Sequence, residues 1–135
     1  MDQISKYSTI ILCVDAVENN VSKGRYYYSD LADEYKFHSM DHFLLENDSL
    51  MNGAAPRNPS VPRKSNDILL DGKIATFKLR ILYRHNNDWQ GSIMWLETRY
   101  EVNFRSTLEL LSIIHQALIP AQKQRMSPSS LKIAK

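Results

Sequence analysis

Apolar and polar residues alternate along residues 76–84, and this alternation predicts a β-strand with one buried face. The turn-forming residues 85–88 interrupt the pattern, and Gly91 closes the predicted loop at a position where a side chain would clash. Residues 92–97 alternate again. We therefore predict a hairpin of two strands, followed by a polar connection.

A helix is predicted directly after this connection. Ser106 and Glu109 have the spacing of a capping box, in which both side chains accept hydrogen bonds at the start of a helix. Apolar residues recur at helical spacing between Leu108 and Leu118, and Pro120 predicts the end of the helix. The predicted unit is strand, turn, strand, helix.

The same landmarks occur 67 residues earlier, without a gap. Nine of 43 positions are identical when residues 9–51 are aligned with residues 76–118. The identical residues occupy turn, cap and core positions: Thr9 and Thr76, Leu12 and Leu79, Asn19-Asn20 and Asn86-Asn87, Gly24 and Gly91, Glu34 and Glu101, Phe37 and Phe104, Ser39 and Ser106, and Leu44 and Leu111. In the first copy, residues 10–14 form one predicted strand, residues 25–28 begin the other, and Ser39 caps the predicted helix.

A lone hairpin with one helix buries too little surface to be stable, so the two copies are expected to share a core. We predict an α+β fold, an internally duplicated ββα-ββα arrangement with a four-stranded antiparallel sheet and two helices on one face. The predicted single domain has a first repeat in residues 1–51, a Pro-rich basic linker in residues 52–75, a second repeat in residues 76–118 and a basic flexible tail in residues 119–135. Exchange of halves between two chains, a domain-swapped dimer, is the alternative.

Composition and charge indicate the class of protein and its expected location in the cell. Its 43% hydrophobic and 24% charged residues are ordinary for a globular protein, and no apolar run is long enough to span a bilayer. The single cysteine, Cys13, fits a reducing compartment, so the predicted location is cytoplasmic. Charge is uneven: −5 over residues 9–51, +1 over residues 76–118 and +4 over residues 119–135.

The sheet face turned away from the helices is the predicted binding surface. Strand parity places these residues on it: Ile11, Cys13, Val17, Arg25, Tyr27, Lys78, Arg80, Leu82, Arg84, Met94 and Leu96. The apolar members indicate a covered face, either a dimer contact or a partner site. Trp89 is either a binding anchor at a hairpin tip or a side chain folded back over the sheet edge. The predicted protein-binding residues are Tyr27, Trp89, Met94 and Leu96.

Nucleic-acid binding is the alternative function, because Lys and Arg beside an aromatic resemble a single-strand platform. The residues that would contact phosphates are Arg25, Lys78, Arg80, Arg84, Lys123 and Arg125. Sparse aromatic residues and the lack of an RNP-type motif make this the second choice. An inhibitor of a nucleic-acid-processing enzyme would combine both interpretations.

Catalytic and metal-binding chemistry find little support in the sequence. His38 and His42 flank a predicted helix start without a third or fourth ligand nearby in sequence, so no metal site and no cofactor are predicted. Glu34 and Glu101 recur in both copies within polar connections, where a structural hydrogen bond is expected. The chain contains no phosphate-binding loop or nucleophile elbow, and we predict that it is not an enzyme.

Short motifs in the second copy resemble a family of small bacterial proteins with no known activity. These are Trp89-Gln90-Gly91, Trp95-Leu96-Glu97, Phe104-Arg105-Ser106 and Leu108-Glu109-Leu110. In the first copy, Phe37-His38-Ser39 and Phe43-Leu44-Leu45-Glu46 are similar to the front half of the same family. The resemblance implies no functional residue. The sequence thus predicts a non-enzymatic interaction or regulatory module that binds a protein or itself, as a homodimer, and does not bind membranes.

Overall fold

The fold is given by a computed structural model, which describes residues 7–29, 31–63, 67–85 and 88–126, with side chains as far as Ile119. The elements in chain order are β1 (Thr9–Glu18), β2 (Val21–Tyr28), β3 (Asp33–Phe37), α1 (Met40–Met51), β4 (Ser60–Pro62), β5 (Ala75–His85), β6 (Asp88–Trp95), β7 (Tyr100–Phe104) and α2 (Thr107–Met126).

The strands form one antiparallel sheet of seven, in the order β4-β3-β2-β1-β5-β6-β7. The predicted four-stranded sheet and the predicted ββα-ββα arrangement are therefore wrong. Each helix follows three consecutive paired strands, β1–β3 before α1 and β5–β7 before α2, because the segments predicted to be polar connections are β3 and β7. Their alternation of apolar and polar residues is only five residues long, as in Tyr35 and Phe37 of β3, but it suffices for a short strand. The short strand β4 lies in the linker.

We call β1–β3 with α1 the first half and β5–β7 with α2 the second half. Their pairing registers coincide when residue numbers are shifted by 67: Gly24 pairs with Phe37, and Gly91 pairs with Phe104. A Cβ atom on Gly24 would lie 1.9 Å from the carbonyl oxygen of Cys13, and one on Gly91 would lie 1.8 Å from that of Arg80. Both glycines are required by the same close approach of two backbone segments. We call two residues whose numbers differ by 67 counterparts.

Each half contains a bulge in its first strand, between Val14 and Ala16 and between Ile81 and Tyr83. One extra residue reverses the faces on which the following side chains lie. As a result Val17 packs against the core on the helix side, and Arg84 reaches α1, although both were predicted on the opposite face.

Both helices pack on the same face of the sheet and share one core with it. The serine hydroxyls predicted to cap them do so: Ser39 accepts the backbone N–H of His42 and Ser106 accepts that of Glu109, each at 3.0 Å. Pro120 does not end α2, which continues to Met126, so the tail predicted to begin at residue 119 starts within a helix. Residues 127–135 lie outside the described part of the chain.

No helix in the described ranges has the length and apolar content required to cross a membrane.

Candidate functional site

The linker fills a cleft between α1 and β3 in the first half. Glu46 on α1 is buried, and its carboxylate accepts the backbone N–H groups of Arg57 at 3.0 Å and Asn58 at 3.2 Å. The amide of Asn58 in turn donates to the Tyr26 hydroxyl at 2.9 Å and to the carbonyl of Lys36 at 3.2 Å. The linker is thus held from the helix and from the sheet at once.

The linker then covers the outer edge of the first half. It forms β4, in which Ser60 pairs with Tyr35 and Pro62 pairs with Asp33 of β3. The backbone N–H of Arg63 donates to the carbonyl of Ala32 at 2.7 Å. An extended, proline-containing segment therefore adds a strand to this edge.

The linker finally crosses the sheet face that was predicted to be open. Ile11, Cys13 and Tyr27 form a second buried cluster there, each with no exposed surface. The guanidinium of Arg63 lies 3.5 Å from the centre of the Tyr27 ring, and the Tyr27 hydroxyl accepts the backbone N–H of Leu69 at 3.2 Å. The predicted exposure of Tyr27 is wrong, because Arg63 lies over its ring and Leu69 contacts its hydroxyl.

Ion pairs of Arg25 hold the linker where it passes over this face of the sheet. Its guanidinium donates to Asp15 at 2.8 and 3.1 Å, to the Asp71 carboxylate at 3.2 Å and to the Asp71 carbonyl at 2.7 Å. The hydrogen bond with Asp15 is the largest cause that raises the pKa of Arg25. Arg25 was predicted to be a phosphate ligand, but its donors are engaged within the chain, and Glu34 adds a carboxylate at 3.6 Å.

The same surroundings shift the pKa values of Cys13 and Asp15. Burial, with the nearby carboxylate of Asp71, raises the pKa of the Cys13 thiol far above its usual range. Burial alone would also raise the pKa of Asp15, but hydrogen bonds from Arg25 and from the backbone of Lys73 outweigh it and lower that pKa. A raised thiol pKa makes Cys13 a poor nucleophile.

In the second half, no segment that the structure describes lies over the counterpart face. It presents Arg80, which is exposed, and Lys78 and Met94, which are half-buried. Neither Lys78 nor Arg80 forms an ion pair with any residue that the structure describes. Leu96 is only 8% exposed, beyond the end of β6, so of the four predicted protein-binding residues only Met94 lies accessible on this face.

The outer edge of the second half is uncovered as well. β7 is the last strand of the sheet, and no described segment pairs with its outer side. Tyr100 is 66% exposed there, and Glu101 and Asn103 are exposed. An unpaired edge with an exposed aromatic residue is a template for another strand.

A cleft of about 260 Å³ lies between β7 and α2. Its lining is mostly apolar, and three of its side chains carry a polar group, Trp95, Tyr100 and Gln116; the others are Phe77, Ile93, Val102, Ile113 and Ala117. Two smaller side chains account for the space, since Val102 and Ala117 are the counterparts of Tyr35 and Leu50. We define the uncovered surface as three adjoining parts of the second half: the cleft, the β7 edge, and the face that carries Lys78, Arg80 and Met94.

Trp89 lies in the core rather than at a loop tip. Its side chain is 1% exposed, and its indole Nε1 donates to Asp48 at 3.1 Å. Asp48 also accepts from Arg84 at 3.1 Å, and Arg84 reaches the carbonyl of Met51. Trp89 and Arg84 therefore tie β5 and β6 to α1, and neither is presented to a partner as predicted.

The remaining predicted residues contribute little to a site. The rings of His38 and His42, which flank the start of α1, stack with centroids 4.1 Å apart. No group of three metal-ligating side chains occurs within the described ranges. Lys123 and Arg125 lie in α2, but their side chains fall outside the described part.

Sequence reasoning missed the edge and the cleft. Tyr100-Glu101-Val102-Asn103-Phe104 alternates with period two, and this signal would have identified β7. No local pattern shows that Ala117 and Val102 leave a cleft, because that depends on a comparison with their counterparts in the folded chain.

Comparisons with protein-family models, with curated proteins and with solved structures found no match to this chain. The resemblance to a small bacterial family therefore stays a prediction.

Proposed function

We propose that the chain is a non-enzymatic protein-interaction module that binds a protein partner through the uncovered surface. The observation that carries this proposal is the contrast between the halves. The linker covers the edge and the face of the first half, while the counterpart surfaces of the second half have no cover among the described residues.

The character of the surface supports a protein partner over nucleic acid. Of the six basic residues that the alternative needs, four have side chains within the described part of the chain. Arg25 and Arg84 are engaged in internal contacts, and Lys78 and Arg80 lie on the open face. The edge adds Tyr100, and the cleft adds apolar side chains. Apolar clefts with a polar rim are typical of protein interfaces, whereas two cations give a small phosphate footprint.

The proposal leaves no role for catalysis. The side chains with strongly shifted pKa values, such as Cys13 and Arg25, hold the linker in place and do not line the cleft. A regulatory role in the cytoplasm follows from the same proposal, with the buried thiol of Cys13 suited to a reducing compartment.

Site-specific photo-crosslinking in cells tests this function. A photoreactive amino acid at Arg80 should form a discrete, protease-sensitive adduct that withstands nuclease. The same group at Leu45, which is 71% exposed on α1, is the control and should give none. Nuclease-sensitive adducts at Arg80, with binding that falls steeply as salt rises, would favour the nucleic-acid alternative. Absence of adducts at Arg80 would contradict the proposal.

A further inference from the structure

We propose that the partner contributes an extended segment that adds as an eighth strand to β7 and inserts an apolar side chain into the cleft beside α2. This inference rests on the proposed function and names the part of the partner that is recognised. The chain supplies the precedent for the added strand, since its own linker pairs with β3, the counterpart of β7, and contacts α1 beside it.

The linker shows what each part of such a segment does. Residues 57–58 enter the cleft of the first half, where Glu46 accepts their backbone N–H groups. Residues 60–62 then pair with β3. Backbone pairing provides affinity that depends little on sequence, and the cleft provides the selectivity.

The cleft of the second half selects a different side chain. The counterpart of Glu46 is Ile113, and the counterpart of Asn47 is Ile114, so α2 offers no acceptor at these positions. Trp95 lines the cleft, and its buried indole Nε1 has no hydrogen-bond partner among the described residues. Its counterpart Tyr28 donates to Asn47 instead. The apolar members of this lining favour an aliphatic or aromatic side chain. The indole N–H of Trp95 in addition favours a segment that brings a hydrogen-bond acceptor, such as a backbone carbonyl.

The charge of Glu101 on β7 restricts which residues the partner's segment can carry on its side away from α2. Glu101 is exposed on β7 and would lie beside the residue that follows the inserted side chain. Like charges on adjacent strands are unfavourable, so that residue is expected to be basic or neutral. The recognised segment is extended, apolar on the α2 side and not acidic on the other.

Two other occupants are less suited to this surface. β7 of a second copy cannot fill the cleft, because Tyr100 and Val102 already line the cleft of their own subunit. The tail of the same chain leaves from a longer helix. α1 ends at Met51, whose counterpart is Leu118, and α2 continues eight residues further to Met126. That extension carries the chain about 12 Å past the point at which the linker turns back.

Peptide selection on the full-length protein tests the inference. Short random peptides displayed on phage are selected on the immobilised chain, and the best are resynthesised for binding by fluorescence anisotropy. We expect enriched peptides with an apolar residue flanked by basic or neutral ones. Methylation of alternate backbone nitrogens should weaken binding about tenfold or more, because it removes donors that strand pairing needs.

A variant whose cleft is filled by a larger side chain tests the insertion, and a second variant with the same side chain elsewhere on α2 is its control. Ala117→Leu restores the size of its counterpart Leu50 and should weaken peptide binding at least about tenfold. Ser112→Leu adds a side chain of the same size on the exposed side of α2 and should leave binding unchanged. Unchanged circular dichroism and thermal midpoint establish that both variants fold.

The results that would overturn this inference can be distinguished from those that would overturn the proposed function. Failure to select peptides, or binding that ignores Ala117→Leu or methylation, overturns the added strand. If the Arg80 crosslink to a protein persists in that case, the proposed function stands without it. A dimer in light scattering that Ala117→Leu dissociates would make a second copy the occupant. Faster amide exchange in β7 caused by Leu131→Asp would make the tail the occupant. Either result overturns the inference.

Discussion

The carboxylate of Glu46 accepts the backbone N–H of Asn58 at 3.2 Å, and this contact ties the linker to α1. Its counterpart on α2 is Ile113, which has no acceptor to offer a passing backbone. This single difference marks the division between the halves. One half binds a segment of its own chain, and the other presents the same surfaces with a more apolar cleft.

Glu46→Ala should release the linker from α1. Two backbone donors lose their acceptor, so the free energy of unfolding should fall by about 2 kcal/mol in urea denaturation. Glu101→Ala is the control, because that side chain is exposed on β7 and should change stability by less than about 0.5 kcal/mol. Equal effects of the two substitutions would show that the linker is not held through Glu46.

Arg25→Met should expose Cys13 to thiol reagents. Arg25 bridges Asp15 on β1 to Asp71 in the linker, and its loss leaves those carboxylates unneutralised above the thiol. We expect the modification rate of the native protein to rise about tenfold or more, since local opening controls access to a buried thiol. Arg80→Met, on the uncovered face, should leave the rate unchanged. A fast rate in the unaltered protein would mean that the linker does not cover Cys13.

Asp48→Ala tests the placement of Trp89 in the core. Removal of this carboxylate leaves the indole N–H of Trp89 and one Arg84 contact without their acceptor, and should cost about 2 kcal/mol of unfolding free energy. Asp41→Ala on the same helix is the exposed control. In a Trp95→Phe background, acrylamide should quench Trp89 poorly. Strong quenching would instead place the indole at the surface.

Alkaline pH should destabilise the fold through Tyr26 and Tyr28. Burial raises the pKa of both phenols, and neighbouring tyrosines add to the shift at Tyr28. A raised folded pKa gives stability that is fully present below the unfolded value of about 10 and is lost as pH rises through the folded value. Urea denaturation should therefore show a falling unfolding free energy above about pH 10. Tyr28→Phe should make the fall shallower, and a fall of unchanged steepness would refute the assignment.

The sequence predicted the parts of the fold that local patterns control. Alternation at Phe77 and Leu79 identified β5, and the serine hydroxyls at Ser39 and Ser106 identified both helix starts. β3 and β7 were missed because five alternating residues beside charged ones resemble a connection. The bulges reversed side-chain parity, which is why Arg84 was assigned to the wrong face.

The site was harder to predict than the fold. Pairing of Ser60 with Tyr35 and burial of Tyr27 under the linker depend on contacts between residues far apart in sequence. A proline-rich, basic segment has no apolar periodicity that would reveal such contacts. The cleft likewise results from small side chains at Val102 and Ala117, whose effect is visible only beside Tyr35 and Leu50.

Residue-resolved amide hydrogen exchange on the full-length protein tests the central claim most directly. If the linker covers β3 while β7 is uncovered, the amides of Asp33–Phe37 that point to β4 should exchange at least about tenfold more slowly than their counterparts in Tyr100–Phe104. The amides that point to β2 and to β6 are paired in both halves and serve as the internal reference. Equal protection of the two strands would contradict the account, because it would show that the β7 edge is already paired.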